Sequence, residues 1–122
     1  MTRILAIAFG GALGALGRHG VSTAVAAAFG PRFPFGTLIV NVAGSFAMGW
    51  LFALFAERVH VPPEMRLLIM TGLLGAFTTF STFSVETLAL LQAGRWLAAA
   101  ANVLLSVVLC LCAAGLGMLL GR

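Results

Sequence analysis

Four apolar stretches, each long enough to cross a bilayer, fill almost the whole of this 122-residue chain. They are predicted at residues 4–28, 37–56, 65–91 and 96–120. A helix rising about 1.5 Å per residue needs about 20 predominantly apolar residues to cross a hydrocarbon core about 30 Å thick. Only short connections remain: Phe29-Gly30-Pro31-Arg32-Phe33-Pro34, the polar run from Glu57 to Glu64, and Gln92-Ala93-Gly94-Arg95. The glycines and prolines in them are turn residues. The expectation is an all-α membrane protein, a single transmembrane domain over residues 1–122 with four helices per subunit. No length is left for a separate catalytic lobe.

Composition agrees. Charged residues make up 8% of the chain and hydrophobic ones 61%, and mean hydropathy is +1.13. A soluble domain carries about 25% charged residues, and without them large apolar patches would face water. The net charge of +4 comes from seven arginines set against Glu57, Glu64 and Glu86. Those arginines are scattered singly, with no basic stripe or aromatic groove, so nucleic acid is not a partner. His19 and His60 have no constellation around them, which argues against an enzyme. Cys110 and Cys112 lie about 200° apart on a helix and cannot pair with each other. They read as small buried hydrophobes. Arg3 followed by an apolar run has some likeness to a secretory leader, but Arg18 and His19 interrupt it and three more spans follow. The expectation is a retained first helix.

Small residues recur at four-residue steps: Gly10, Gly14 and Arg18; Asn41, Ser45 and Gly49; Ala113, Gly117 and Gly121. Such spacing lets helix backbones approach closely in lipid, where no hydrophobic force joins them. Arginines divide almost evenly between the two ends of the bundle. Arg3, Arg58, Arg66 and Arg122 fall on one side, with Arg32, Arg95 and the deeper Arg18 toward the other. Orientation follows Lys/Arg asymmetry in short loops, and a balanced chain can insert both ways. Dual topology and an antiparallel homodimer are expected, since four helices alone leave little room for an aqueous path.

The segment that demands an explanation is Thr78-Thr79-Phe80-Ser81-Thr82-Phe83-Ser84, five hydroxyls in seven positions, followed closely by Glu86. Thr79 and Thr82, Phe80 and Phe83, and Ser81 and Ser84 repeat at i, i+3, so hydroxyl and phenyl rows run along one helix. Gly72 and Gly75 weaken the helix just upstream and permit a break, which lipid tolerates only where the freed backbone is buried or lines a cavity. A blander reading has each hydroxyl bonded to the carbonyl four residues earlier. The cluster as a whole favours a polar pathway. Asn41, Asn102 and Ser106 are further polar groups at membrane depth. Arg18 either snorkels to an interface or sits in a vestibule that attracts anions. Hydroxyls, amides and the electropositive edges of phenyl rings are donors, so the pathway suits an anion, although Glu86 on its own would suit a proton or cation.

Three stretches resemble the Fluc/CrcB fluoride-channel family: Gly10 through Arg18, Gly36 through Ser45, and Thr71 through Glu86. The last, with Thr-Thr-Phe-Ser-Thr-Phe-Ser, is highly specific. The resemblance implies a fluoride-selective passive channel, multi-pass in the inner membrane of a bacterium, exporting fluoride through two antiparallel pores of a dual-topology homodimer. It implies that Phe80 and Phe83 line the pore beside Asn41, with Thr79, Ser81, Thr82, Ser84 and Glu86 as a polar track. It places Arg18 at a vestibule and Ser106 on the fourth span, and a structural sodium ion on the backbone carbonyls of Gly75 and Thr78 at the dimer centre. Asn102 and Cys110 depart from the family pattern. The rival class is a small proton-coupled exporter of cationic compounds, which needs a carboxylate in the first span. Here that span carries Arg18 instead.

Overall fold

The computed structural model describes residues 1–122 and is entirely helical. Helix α1 spans Thr2–Phe29, α2 Phe35–Glu57, α3 Pro63–Arg66, α4 Gly75–Phe77, α5 Phe80–Gln92 and α6 Trp96–Gly121. Between α3 and α4 the chain winds through Leu67–Leu74 as a wider π-helix. Four helical runs are long and apolar enough to cross a membrane: Thr2–Phe29, Phe35–Glu57, Pro63–Gln92 and Trp96–Gly121. The chain is a multi-pass membrane protein by this architecture.

Local chemistry sets the ends of these helices. Gly30, at φ 77°, closes α1 in a conformation that L side chains resist, and Pro31 follows it. Pro63 opens α3, where its missing N–H costs nothing. Gly94, at φ 72°, makes the turn between α5 and α6. Inside the third span two residues leave the helical region altogether. Thr78 sits at φ −84°, ψ 158° and Thr79 at φ −153°, ψ 121°, both extended.

Two seams hold the bundle together. In one, α1 lies along the π-helical segment. A methyl group at Gly10 would strike the Leu68 carbonyl, and one at Gly14 the Leu73 carbonyl. In the other, α2 lies along α6. There Gly49 meets the Ala114 backbone, Gly117 the Phe46 carbonyl and Gly121 the Trp50 carbonyl. Of the residues flagged by their spacing, Gly10, Gly14, Gly49, Gly117 and Gly121 do meet a neighbouring helix. Arg18 is only half-buried, and Ala114 rather than Ala113 faces Gly49.

Candidate functional site

The extended pair Thr78–Thr79 leaves backbone groups that a continuous helix would have satisfied, and Asn41 on α2 takes up both groups of Thr79. Asn41 Nδ2 donates to the Thr79 carbonyl at 2.9 Å, and the Thr79 N–H donates to Asn41 Oδ1 at 2.7 Å. One side-chain amide thus stands in for a strand partner. Thr79 is itself 8% exposed, and its hydroxyl caps α5 by accepting from the Thr82 N–H at 3.2 Å. The same hydroxyl donates to Thr82 Oγ1 at 3.0 Å and lies 3.3 Å from Ser81 Oγ. The chain makes its close approach at this point because position 44 is glycine: a methyl there would collide with Thr78 Cγ2.

Beside this interruption runs an open groove of about 770 Å³ between α2 and α6. Asn41, Thr78, Thr79, Phe80, Phe83 and Ser106 line it together, with Cys110 one turn beyond Ser106. The phenyl rings of Phe80 and Phe83 tilt at 47° to each other with centroids 5.4 Å apart, so ring edges as well as faces are presented. Phe80 is 79% exposed in the single chain. Ser81 and Thr82 are exposed too. Asn41, Thr79, Phe80, Phe83 and Ser106, chosen from sequence, are therefore one cluster.

Of the remaining sequence candidates only Thr78 lines this groove. The Ser84 hydroxyl donates to the Phe80 carbonyl at 2.9 Å and that of Thr78 to the Leu74 carbonyl at 3.1 Å, the i−4 back-bonding that the blander reading expects. Glu86 is half-buried and lines a separate cavity of about 600 Å³ under the first and third connections, which Arg32 and Arg95 also line. Its Oε1 accepts from the Thr37 hydroxyl at 2.9 Å, and its Oε2 is buried with no partner within the chain. Arg18 lines neither cavity. Gly75 is exposed, one helical turn before Thr79.

Sequence reasoning missed Thr37, Thr87 and Gly44. Thr37 looks like an ordinary helix-start threonine, and nothing in its spacing pairs it with Glu86. Thr87 continues the hydroxyl periodicity beyond Ser84, one turn after Phe83, and that signal was readable. Gly44 sits inside the Gly36–Ser45 stretch without any local mark of what it faces.

Comparison with known proteins fits this geometry. The profile of the family described as CrcB-like protein, Camphor Resistance (CrcB), matches residues 5–118. The chain belongs to the CrcB family. It is 55% identical over 116 residues to the fluoride-specific ion channel FluC of Magnetococcus marinus, an alignment covering 95% of this chain and 94% of that one. It is 57% identical over 117 residues to the protein of the same name from Shewanella amazonensis, covering 96% and 94% of the two chains. The FluC of Shewanella oneidensis is 54% identical over 111 residues, 91% of this chain and 89% of its own. These CrcB relatives are named as ion channels, and this CrcB chain is not an enzyme.

Proposed function

We propose that this protein is a fluoride-selective channel of the bacterial inner membrane that lets fluoride leave the cytoplasm passively. The observation that carries the reading is the meeting of Asn41, Thr79, Phe80, Phe83 and Ser106 in one groove of a CrcB-family chain whose relatives are named fluoride-specific ion channels. A small anion leaving water needs donors that replace its hydration shell without trapping it. Asn41 Nδ2 keeps a second proton beyond the one spent on the Thr79 carbonyl. Ser106, the Thr82 and Ser81 hydroxyls and the ring edges of Phe80 and Phe83 extend the series of donors. Glu86, whose Oε1 Thr37 holds, lines the separate cavity with Arg32 and Arg95, and Arg18 would serve a vestibule outside the groove.

The conducting unit in this reading is an antiparallel, dual-topology homodimer with two pores. Phe80, Ser81 and Thr82 project from the single chain at membrane depth. Hydroxyl groups facing acyl chains would be poorly satisfied, whereas a second subunit closes the groove and turns an open trough into a path.

A structural sodium ion fits the centre of that dimer. In a continuous helix the Gly75 carbonyl accepts from the Thr79 N–H and the Thr78 carbonyl from the Thr82 N–H. Here those two N–H groups donate to Asn41 Oδ1 and Thr79 Oγ1 instead. Gly75 and Thr78 thus offer carbonyl oxygens freed from their usual donors, the hard ligands an alkali cation prefers. The bound ion would supply positive charge that ties together the carbonyls of two subunits.

Fluoride efflux from liposomes carrying the purified protein, followed with a fluoride electrode, tests the reading. Rapid passive fluoride loss with little chloride loss is expected. Phe80→Ile and Phe83→Ile should each reduce it severely while the protein still elutes as a dimer. Absence of any fluoride leak would sink the proposal, and so would full flux in both variants. Proton-coupled uptake of a lipophilic cation would point to the exporter class instead.

A further inference from the structure

Asn102 is the most deeply buried polar side chain in the molecule, 1% exposed, within the most hydropathic of the four spans. An amide in that position must find a partner, because an unpaired buried donor is costly in a low-dielectric interior. It finds Thr87 on α5: Asn102 Nδ2 donates to Thr87 Oγ1 at 2.9 Å. A hydroxyl has one proton, and Thr87 spends it on the Phe83 carbonyl, 2.7 Å away. The two bonds form a directed chain from α6 to the backbone of Phe83. Asn102 itself does not line the groove; it acts from behind it.

Helix α5 is poorly held by apolar contact, since only Leu90 among its residues is buried. Three side chains of other helices hydrogen-bond to it or its cap: Asn41 at Thr79, Thr37 at Glu86, and Asn102 at Thr87. The first holds the start of the helix. The third is the one that leads to the carbonyl of a groove-lining phenylalanine. We infer that Asn102, acting through Thr87, is a positioning residue that sets the rotation and height of the Phe83 ring in the permeation groove. The inference rests on the channel reading for its consequence in flux, but the bond chain and the ring position exist whatever ion crosses.

Thr87→Val removes the hydroxyl at nearly constant shape, and Asn102→Leu removes the amide. Each is expected to lower fluoride flux per assembled protein by about threefold to tenfold, the range of interhelical hydrogen bonds in lipid. The double variant should lose no more than the worse single one, because both break the same chain. Thr87→Ser restores the hydroxyl and should restore flux. A 4-fluorophenylalanine at position 83 supplies a readout that a merely stabilising bond would leave alone. Its fluorine resonance should shift or broaden in Thr87→Val and Asn102→Leu, while the same label at Phe9 on α1 stays put. A Thr87→Val protein that conducts like its parent, an additive double variant, or an unmoved Phe83 resonance would each overturn the inference. If Asn102→Leu does not yield folded protein, Thr87→Val and Thr87→Ser decide the matter. If the parent leaks no fluoride, the channel reading fails, and the Phe83 resonance still judges the positioning chain separately.

Discussion

The seam between α2 and α6 and the attachment of α5 are held by different physics. Along the seam, Gly49, Gly117 and Gly121 bring backbones together so closely that no methyl group fits, and no side-chain hydrogen bond joins the two helices. Helix α5 is the reverse. It buries almost nothing and is tied to α2 and α6 by the side chains of Asn41, Thr37 and Asn102. Close packing makes a rigid wall that tolerates no change in volume. Discrete polar ties instead hold a hydroxyl- and phenyl-bearing helix at a chosen height with Phe80, Ser81 and Thr82 uncovered. The wall carries the fold, and the tethered helix carries the residues of the proposed permeation path.

The comparison is broken most forcefully by filling the seam. Gly117→Ala places a methyl against the Phe46 carbonyl, and backbone cannot yield as a flexible side chain does. The expected loss lies at or beyond the upper end of the about 1–3 kcal/mol typical of overpacking. Gly115→Ala, two residues away and facing open space, is the control and should be neutral or slightly stabilising, because alanine is the better helix former. Thermal unfolding of the two detergent-solubilised variants reads the difference. Equal melting temperatures would mean that the helices are not in backbone contact.

Cutting a tether comes next in size. Asn41→Ala leaves both the N–H and the carbonyl of the buried Thr79 without partners, at about 1–3 kcal/mol for a buried group so orphaned. Fluoride flux should fall more steeply than stability, since the extended pair at Thr78–Thr79 would lose its bracket while the seam stays intact. Asn41→Asp keeps the acceptor for the Thr79 N–H but sets a carboxylate oxygen against the Thr79 carbonyl and a negative charge beside the proposed anion path, so its flux should fall at least as far as that of Asn41→Ala. A variant with parental flux and a lowered melting temperature would reassign Asn41 from the site to the scaffold.

The same division explains what could be read in advance. The four spans and their connections follow from lengths of apolar sequence and from Gly30-Pro31, Pro62-Pro63 and Gly94, all local signals. The hydroxyl and phenyl rows followed from i, i+3 spacing. What spacing could not tell is which hydroxyls are already spent. Ser84 and Thr78 bond back to their own helix, whereas Thr79 caps the next one, and only the extended backbone between them separates the two cases. The targets of Asn41 and Asn102 lie 38 and 15 residues away along the chain, so side-chain reach across helices decided them. The π-helical winding of Leu67–Leu74 had no sequence mark at all. It lies where Gly10, Gly14 and Gly72 let α1 press against the third span.

The smallest effect should come from the ties that look strongest in charge. Arg3 Nε lies 3.4 Å from Glu64 Oε1, linking α1 to the start of the third span, and Arg122 Nε lies 3.6 Å from Glu57 Oε1. Each of these side chains is between 41% and 66% exposed, at the watery end of the bundle, where solvent and salt screen the attraction and ordering two long side chains offsets much of it. Arg3→Gln and Arg122→Gln should therefore leave the melting temperature within the scatter of repeat scans, at low and at high salt alike. The amide ties to α5 from Asn41 and Asn102 differ in being neutral, short and sheltered from water, which is why losing one amide there is expected to outweigh losing a full charge here. A drop of several degrees in Arg3→Gln that vanishes in salt would show that the end of the bundle is held electrostatically, and the contrast between packed wall and tethered helix would then need a third, ionic element.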